Sequence, residues 1–356
     1  MAVVSDGSGG ADPAAAAGAD PGIDVVVAVR PTTGPIETAV RSVLDGNAEG
    51  ARLTVVCHNI PESTVRATLP KKLTEKIHFL PIDDERPGAG VAINAGIEAA
   101  TAEYLCVLRP QDRLLPGALA SWFWRGRRTG ADVVLGRVRS ADDQALARWP
   151  LRLRGGPLDP VRDRLCYRDR IEGLISREAV TKWGLRADEK VACGAEVAFA
   201  TRAWFTCRVL PDRRGPELVT GPPPDLNAVP GVKDQLKFVR RILRSAWFSE
   251  LDAPQQRSAG VAFTRRYLFA SVRRAVAPDR AQDWAGVNQQ DAAKAAKGML
   301  HAAPGLAPAL TRRERTALSA IRHGETGAED LRRLLAPGAR DDGAAPGQQP
   351  YNGLLR

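Results

Sequence analysis

The 356-residue chain contains no run of apolar residues approaching a bilayer span, which needs about 20 consecutive apolar positions. An integral helical membrane protein is therefore not expected, and the most the sequence allows is attachment to a membrane surface. The five cysteines, Cys57, Cys106, Cys166, Cys193 and Cys207, show no CxxC spacing. That pattern favours buried free thiols in a reducing cytoplasm over a zinc site or a disulfide framework. Helix-turn-helix, zinc-finger and RNP-type signatures are missing, so nucleic acid is not an expected partner. Residues 1–21 lack the basic start and continuous apolar stretch of a signal peptide and read as a flexible leader.

The formal net charge of +10 is unevenly placed. Residues 231–340 hold 20 Lys/Arg against 10 Asp/Glu, whereas residues 1–230 are nearly balanced at 30 against 29. A basic C-terminal third attracts a polyanion, lies against an anionic membrane leaflet, or is simply a solvated helix surface.

Ile23–Val29 is a β-branched run and the expected first strand of a parallel sheet. An amphipathic helix carrying Ile36, Val40, Val43 and Leu44 follows, then a second strand at Leu53–Cys57, a helical stretch near Glu62–Leu69 and a third strand at Ile77–Leu80. Strands alternating with helices imply crossover units. No Gly-rich phosphate loop with a following Lys or Arg comes after the first strand, which counts against a nucleotidyltransferase.

The most informative stretch is Arg86–Leu119. Val91, Ile93, Ile97 and Ala100 recur at helical spacing, and Tyr104–Leu108 is apolar on both faces, as a buried strand should be. The chain then turns polar at Arg109-Pro110-Gln111-Asp112-Arg113, at the carboxyl end of a strand, where open α/β sheets bind ligands.

That order of helix, strand and turn resembles the nucleotide-sugar core of family 2 glycosyltransferases. Asn94-Ala95-Gly96-Ile97, Ala100, Glu103-Tyr104-Leu105, Leu108, Asp112, Leu114, Pro116 and Leu119 fall on the family's positions. The strand Ala131–Gly136 and the segments Glu172–Val180 and Ala192–Trp204 continue the likeness. The resemblance implies an α/β, GT-A-type doubly wound, mixed, mainly parallel sheet over residues 22–221. A Pro-rich hinge at 222–230, a basic helical region at 231–336 similar in layout to bacterial wall-teichoic-acid glycosyltransferases, and a disordered tail at 337–356 complete the expected organisation.

The resemblance also implies roles. Glu196, aligned with the family's acid before an apolar helix, is the expected general base of an inverting transfer. Arg30, Asn59, Asn94, Arg109 and Asp112 are expected to bind the nucleotide sugar. The family's acidic turn is D-x-D-D, but here Arg109 and Gln111 occupy the first two acid positions and only Asp112 remains. Three outcomes stay open: Asp112 holds Mg2+ or Mn2+ with waters and phosphate oxygens, Arg109 meets the diphosphate in place of a cation, or the site is inactive. The second strand likewise ends in His58-Asn59 where the family has acids.

The implied donor is a nucleoside-diphosphate sugar, most simply a UDP-sugar. The implied acceptor is a cell-envelope glycan or polyol phosphate, met in the cytoplasm or at the inner face of the cell membrane. Trp122 and Trp124 are expected in the core, and the Pro/Gly/Arg-rich connection 140–169 is expected to act as a lid or acceptor loop. Beyond the hinge, helices are expected over Val232–Ser249, Gly260–Val276, Gln282–Ala302 and Thr311–Leu335.

Overall fold

The computed structural model describes residues 22–140, 156–221, 229, 231–324 and 326–336. The expected leader, most of the hinge, the tail and residues 141–155 of the lid lie outside the described residues. Ten strands are present among those described: β1 (Ile23–Val29), β2 (Ala51–His58), β3 (Ile77–Ile82), β4 (Tyr104–Val107), β5 (Arg113–Leu114), β6 (Val133–Leu135), β7 (Arg137–Ser140), β8 (Gly173–Ser176), β9 (Val209–Pro211) and β10 (Glu217–Thr220). Seven form the main sheet in the order β3-β2-β1-β4-β8-β6-β9, and β5-β10-β7 form a small second sheet.

The β-branched run of β1 is central because both of its faces are covered. Val25 and Val27 pack with Ala39, Val40 and Val43 of α1 (Glu37–Leu44), while Val26 faces the other way with Val56 and Ala92. After α2 (Glu62–Ala67) and α3 (Lys71–Thr74), helix α4 (Gly90–Ala99) lies on that second face. A Cβ at Gly96 would collide with Val26, so a glycine is what lets α4 settle so close to the strand. Helix α5 (Ala118–Thr129) contributes Leu119 and a fully buried Trp122 to the α1 side. Trp124, expected in the core, is instead 56% exposed. It lies two residues from Trp122, and two helical steps of about 100° carry it to the opposite face.

Every neighbouring pair in the main sheet is parallel except those of β8, which runs antiparallel to both β4 and β6. This reversal decides the composition of the site. The residues preceding β8 arrive at the edge where β1 and β4 end. From there α6 (Arg177–Lys182), capped by the Ser176 hydroxyl, and α7 (Ala195–Thr206) return the chain across the sheet.

The C-terminal region is helical: α8 (Gly231–Gln235), α9 (Lys237–Leu243), α10 (Ala246–Ser249), α11 (Ala253–Phe263), α12 (Phe269–Ala275), α13 (Gln289–Ala302), α14 (Arg312–His323) and α15 (Ala328–Leu334). Reciprocal capping boxes, Asp252 with Gln255 and Thr311 with Glu314, start α11 and α14. Between α11 and α12 the five residues Thr264–Leu268 are wound as a π-helix. The stretch expected as one helix over Thr311–Leu335 is divided at Gly324, which adopts a left-handed φ of 71°.

A single apolar cluster joins Leu105, Ile175, Phe199 and Trp204 to Val239, Phe263, Leu268, Met299 and Leu318. The described residues on either side of the Pro-rich stretch therefore share one core. Many basic side chains of the C-terminal region are also spent internally. Arg265 pairs with Glu314 and donates to the Tyr167 hydroxyl, Arg241 pairs with Asp188, and Arg332 donates to the Val276 carbonyl. The solvated surface weighed for the basic helices thus accounts for only part of their charge.

Candidate active site

The edge of the sheet where β1 and β4 end gathers a cluster of opposed charges. The turn after β4 is fastened by Leu108 N–H to the Val26 carbonyl (2.9 Å) and by Asp112 N–H to the Arg109 carbonyl (3.0 Å). It presents Arg109. The first turn of α7 presents Glu196, following Gly194, whose left-handed φ of 70° turns the chain into the helix beside the Phe238 ring. Nε and Nη2 of Arg109 both reach Oε2 of Glu196 at 3.0 Å. Oε1 of Glu196 has no hydrogen-bond partner among the described residues. The carboxylate also borders a small recess lined by Val107, Ile171 and Phe199.

Two further acids and two further arginines complete the cluster. Nη2 of Arg109 lies 3.5 Å from Oδ2 of Asp169, and Nη2 of Arg266 approaches the same oxygen at 3.9 Å. Asp112, only 1% exposed, is ion-paired to Arg170, and its other oxygen accepts the Gly221 N–H at 3.0 Å. Burial alone would raise the pKa of Asp169, but Arg109, Arg266 and Arg170 hold it well below the usual carboxylate range. For Arg109, burial works towards deprotonation and is outweighed by Glu196, Asp169 and Asp112, so its pKa rises. Arg266 is likewise raised, against burial, by Tyr267, Asp169 and Glu172.

The other expected binding residues divide. Arg30 is half-buried just beyond β1, with its backbone N–H held by the Thr33 hydroxyl at 2.9 Å. Burial lowers its pKa, and no carboxylate pairs with it among the described residues, so it remains an open cation at the edge where ligands are expected. Asn59 and Asn94 are employed differently. Asn59, at a left-handed φ of 55°, exchanges two hydrogen bonds with the backbone of Asp84 and ties the end of β2 to the end of β3. Buried Asn94 donates to the Ala187 carbonyl and to Glu189 and accepts from the Ala187 N–H, strapping α4 to the 187–189 segment. Gly88 completes that junction. It has a φ of +84°, and a Cβ there would strike the Val191 carbonyl. The amides read in sequence as ligand groups thus hold the loops around the site. His58 is buried, with neither ring nitrogen hydrogen-bonded among the described residues.

Of the three outcomes left open by the sequence, the residues present do not fit the one with a divalent cation. Arg109 and Gln111 stand where carboxylates would be needed, and both oxygens of Asp112 are already bound. Among the described residues no group of three or more His, Cys, Asp or Glu side chains converges as a metal site. A Mg2+ or Mn2+ ion needs several oxygen ligands in near-octahedral array, and Asp112 stands alone, buried, with one oxygen on Arg170 and the other on the Gly221 N–H.

Asp169, Arg170 and Arg266 were not legible as site residues. The charged run Arg168-Asp169-Arg170 a few residues before the short strand Gly173–Ser176 was the only signal for the first two. It lay in a stretch read as connection, and nothing in the residue pattern announces that β8 is reversed. Arg266 belongs to a region without a motif, and the π-helical segment directs it to the cluster.

The fold is an α/β mixed, mainly parallel seven-stranded sheet followed by C-terminal helices, as the GT-A-type expectation requires. Among solved structures, residues 1–349 of TarS from S. aureus in complex with UDP-GlcNAc match with a TM-score of 0.69 at 13% identity, covering 88% of this chain and 90% of that one. The same TarS segment with UDP gives 0.68 at the same identity and coverage, and a longer TarS structure gives 0.64, with 54% of that chain covered. At this identity the likeness establishes the fold. No protein-family model and no curated protein sequence matches the chain.

Proposed function

We propose that this chain is an inverting glycosyltransferase that moves a hexose from a nucleoside-diphosphate sugar, a UDP-sugar, to a cell-envelope glycan or polyol-phosphate acceptor. The observation that carries the reading is the position of Glu196, on the first turn of α7 at the strand-end edge, with one oxygen held by Arg109 and the other unpartnered. Arg109 fixes the carboxylate through Oε2. Oε1 takes the proton of the acceptor hydroxyl as that oxygen bonds to the anomeric carbon. The bond from the anomeric carbon to the diphosphate oxygen breaks on the opposite side, and its electron pair leaves with the nucleoside diphosphate. Arg30 at the end of β1 and Arg109 beyond β4 lie on adjacent strand ends, suited to an anionic donor. The fold likeness to TarS, solved with UDP-GlcNAc and with UDP, supports a uridine nucleotide as donor.

The setting proposed is the cytoplasm, at or near the inner face of the cell membrane. No described helix is long and apolar enough to cross a membrane. The test is transfer from a panel of UDP-sugars to polyol-phosphate polymer, followed as release of UDP. A Glu196→Gln protein that folds normally and still transfers at the full rate would remove Glu196 as the base. A second reading, a binding partner or scaffold without turnover, is favoured by the engagement of Asp112 and the two replaced acids of the turn. It predicts no transfer to any acceptor, and absence of binding by any nucleotide would favour it.

A further inference from the structure

We infer that the donor's diphosphate is held without a divalent cation, by the guanidinium groups of Arg109 and Arg266 that converge on Asp169. The inference rests on the donor reading above and adds to it both the electrostatic partner of the leaving group and a residue from the C-terminal helices.

Three observations carry it. The acid that would hold a cation is out of play: Asp112 is buried against Arg170, and its second oxygen is taken by the Gly221 N–H. Phosphate reaching this edge therefore meets a neutral pair where a free carboxylate would repel it. Next, Arg109 and Arg266 come from elements far apart in sequence, the turn after β4 and the π-helical segment, and direct Nη2 atoms at one oxygen of Asp169. A carboxylate between two guanidiniums offsets their mutual repulsion and positions both for a shared anion.

Finally, the N–H groups of Arg266 are not taken up, although its guanidinium lies over the Tyr267 ring, 5.6 Å from the centroid. Its 3.9 Å approach to Asp169 is beyond hydrogen-bond distance, and its guanidinium donates no hydrogen bond among the described residues. Its neighbour Arg265, in the same π segment, is fully engaged by Glu314 and Tyr167. The local widening of the helix thus sends one arginine into the fold and leaves the next with donors to spare at the cluster. A guanidinium presents a planar fork that matches two phosphate oxygens and stays charged when partly buried. Two such groups supply the charge stabilisation that a metal gives a departing diphosphate.

The experiment is calorimetric titration of the full chain with UDP and with UMP, in chelator and again with Mn2+. UDP is expected to bind equally in both conditions. Arg266→Gln should weaken UDP about 10- to 100-fold, the worth of one or two hydrogen bonds to a charged group, with a much smaller effect on UMP. Arg266→Lys should fall between. Thermal unfolding of each variant reports its fold; if Arg266→Gln does not fold, the metal comparison on the unaltered chain and Arg266→Lys decide. UDP binding that needs Mn2+, or an Arg266→Gln protein that binds UDP like the unaltered chain, overturns the inference while leaving the donor reading in place. Absence of UDP and UMP binding in every condition overturns both.

Discussion

Arg109 and Glu196 are joined through a single carboxylate oxygen: Nε and Nη2 of the arginine both lie 3.0 Å from Oε2. The residue expected at the diphosphate and the residue expected as the base therefore form one unit. Oε2 is occupied, Oε1 is open, and the direction from which an acceptor can approach follows.

Residues acting as a unit give non-additive kinetics. Glu196→Gln and Arg109→Gln should each lower kcat for UDP-sugar transfer by about 10²–10⁴, the usual range for a positioned base. The double variant should be little worse than the more damaged single one. Full multiplication of the two effects in a double-mutant cycle would mean that the pair seen in the fold is not the catalytic arrangement.

Arg170 leaves a buried charge behind when it is removed. Asp112 is 1% exposed and Arg170 3% exposed, and breaking one side of a buried pair costs about 3–5 kcal/mol. Arg170→Met should lower the urea midpoint accordingly. Asp112→Asn, which keeps an acceptor for the Gly221 N–H, combined with Arg170→Met, should recover part of that loss. If Arg170→Met alone were neutral, the buried pair would not exist in solution.

Asn94 is expected to stabilise structure and to leave donor affinity largely alone. Asn94→Ala removes two donated bonds and one accepted bond at a buried position and should cost about 1–3 kcal/mol. Amide exchange should quicken at residues 187–189 and stay unchanged in β1. A variant of normal stability that has lost UDP affinity would return Asn94 to the ligand.

Alkaline solution should loosen the fold through its thiols. All five cysteines are free. From an ordinary value of 9.0, burial pushes Cys57 and Cys207 up to about 11 and Cys106 up to about 12. The folded state thus binds protons that the unfolded chain releases near pH 9. The stability tied to these thiols is complete below that pH and is lost as pH rises towards 11–12. Urea midpoints should fall from pH 8 to pH 10, and the fall should shrink in a Cys57→Ala, Cys207→Ala protein. Iodoacetamide should modify Cys57, Cys106 and Cys166 only after unfolding, as mass spectrometry would register.

The first half of the fold was legible because its signals are long. The β-branched run Ile23–Val29 and the helix–strand–turn from Gly90 to Asp112 each span enough residues for period and burial to speak. Strands of two to four residues, such as β5, β7, β9 and β10, carry too few positions for alternation to be recognised. Glu196 and Arg109 were visible as positions, but their bond was not, since 87 residues separate them. For Asn59 and Asn94 the loop-tying bonds were not visible, for a definite reason. A polar residue beside a binding edge has the same composition whether it touches ligand or ties down the loop that surrounds it.

The apolar cluster that runs from Leu105 and Trp204 through Phe263 to Met299 and Leu318 has a consequence for how the molecule melts. Although the strands also pack a second cluster with α1 and α5, this one is shared between the sheet and the C-terminal helices, so both should leave the native state as one calorimetric unit, with equal van't Hoff and calorimetric enthalpies. A chain cut after residue 221 would then not be a smaller version of the same protein. It would lose the part of this cluster that Val239, Phe263, Leu268, Met299 and Leu318 supply, so apolar groups far from any charge of the site would still bear on the temperature at which the site comes apart.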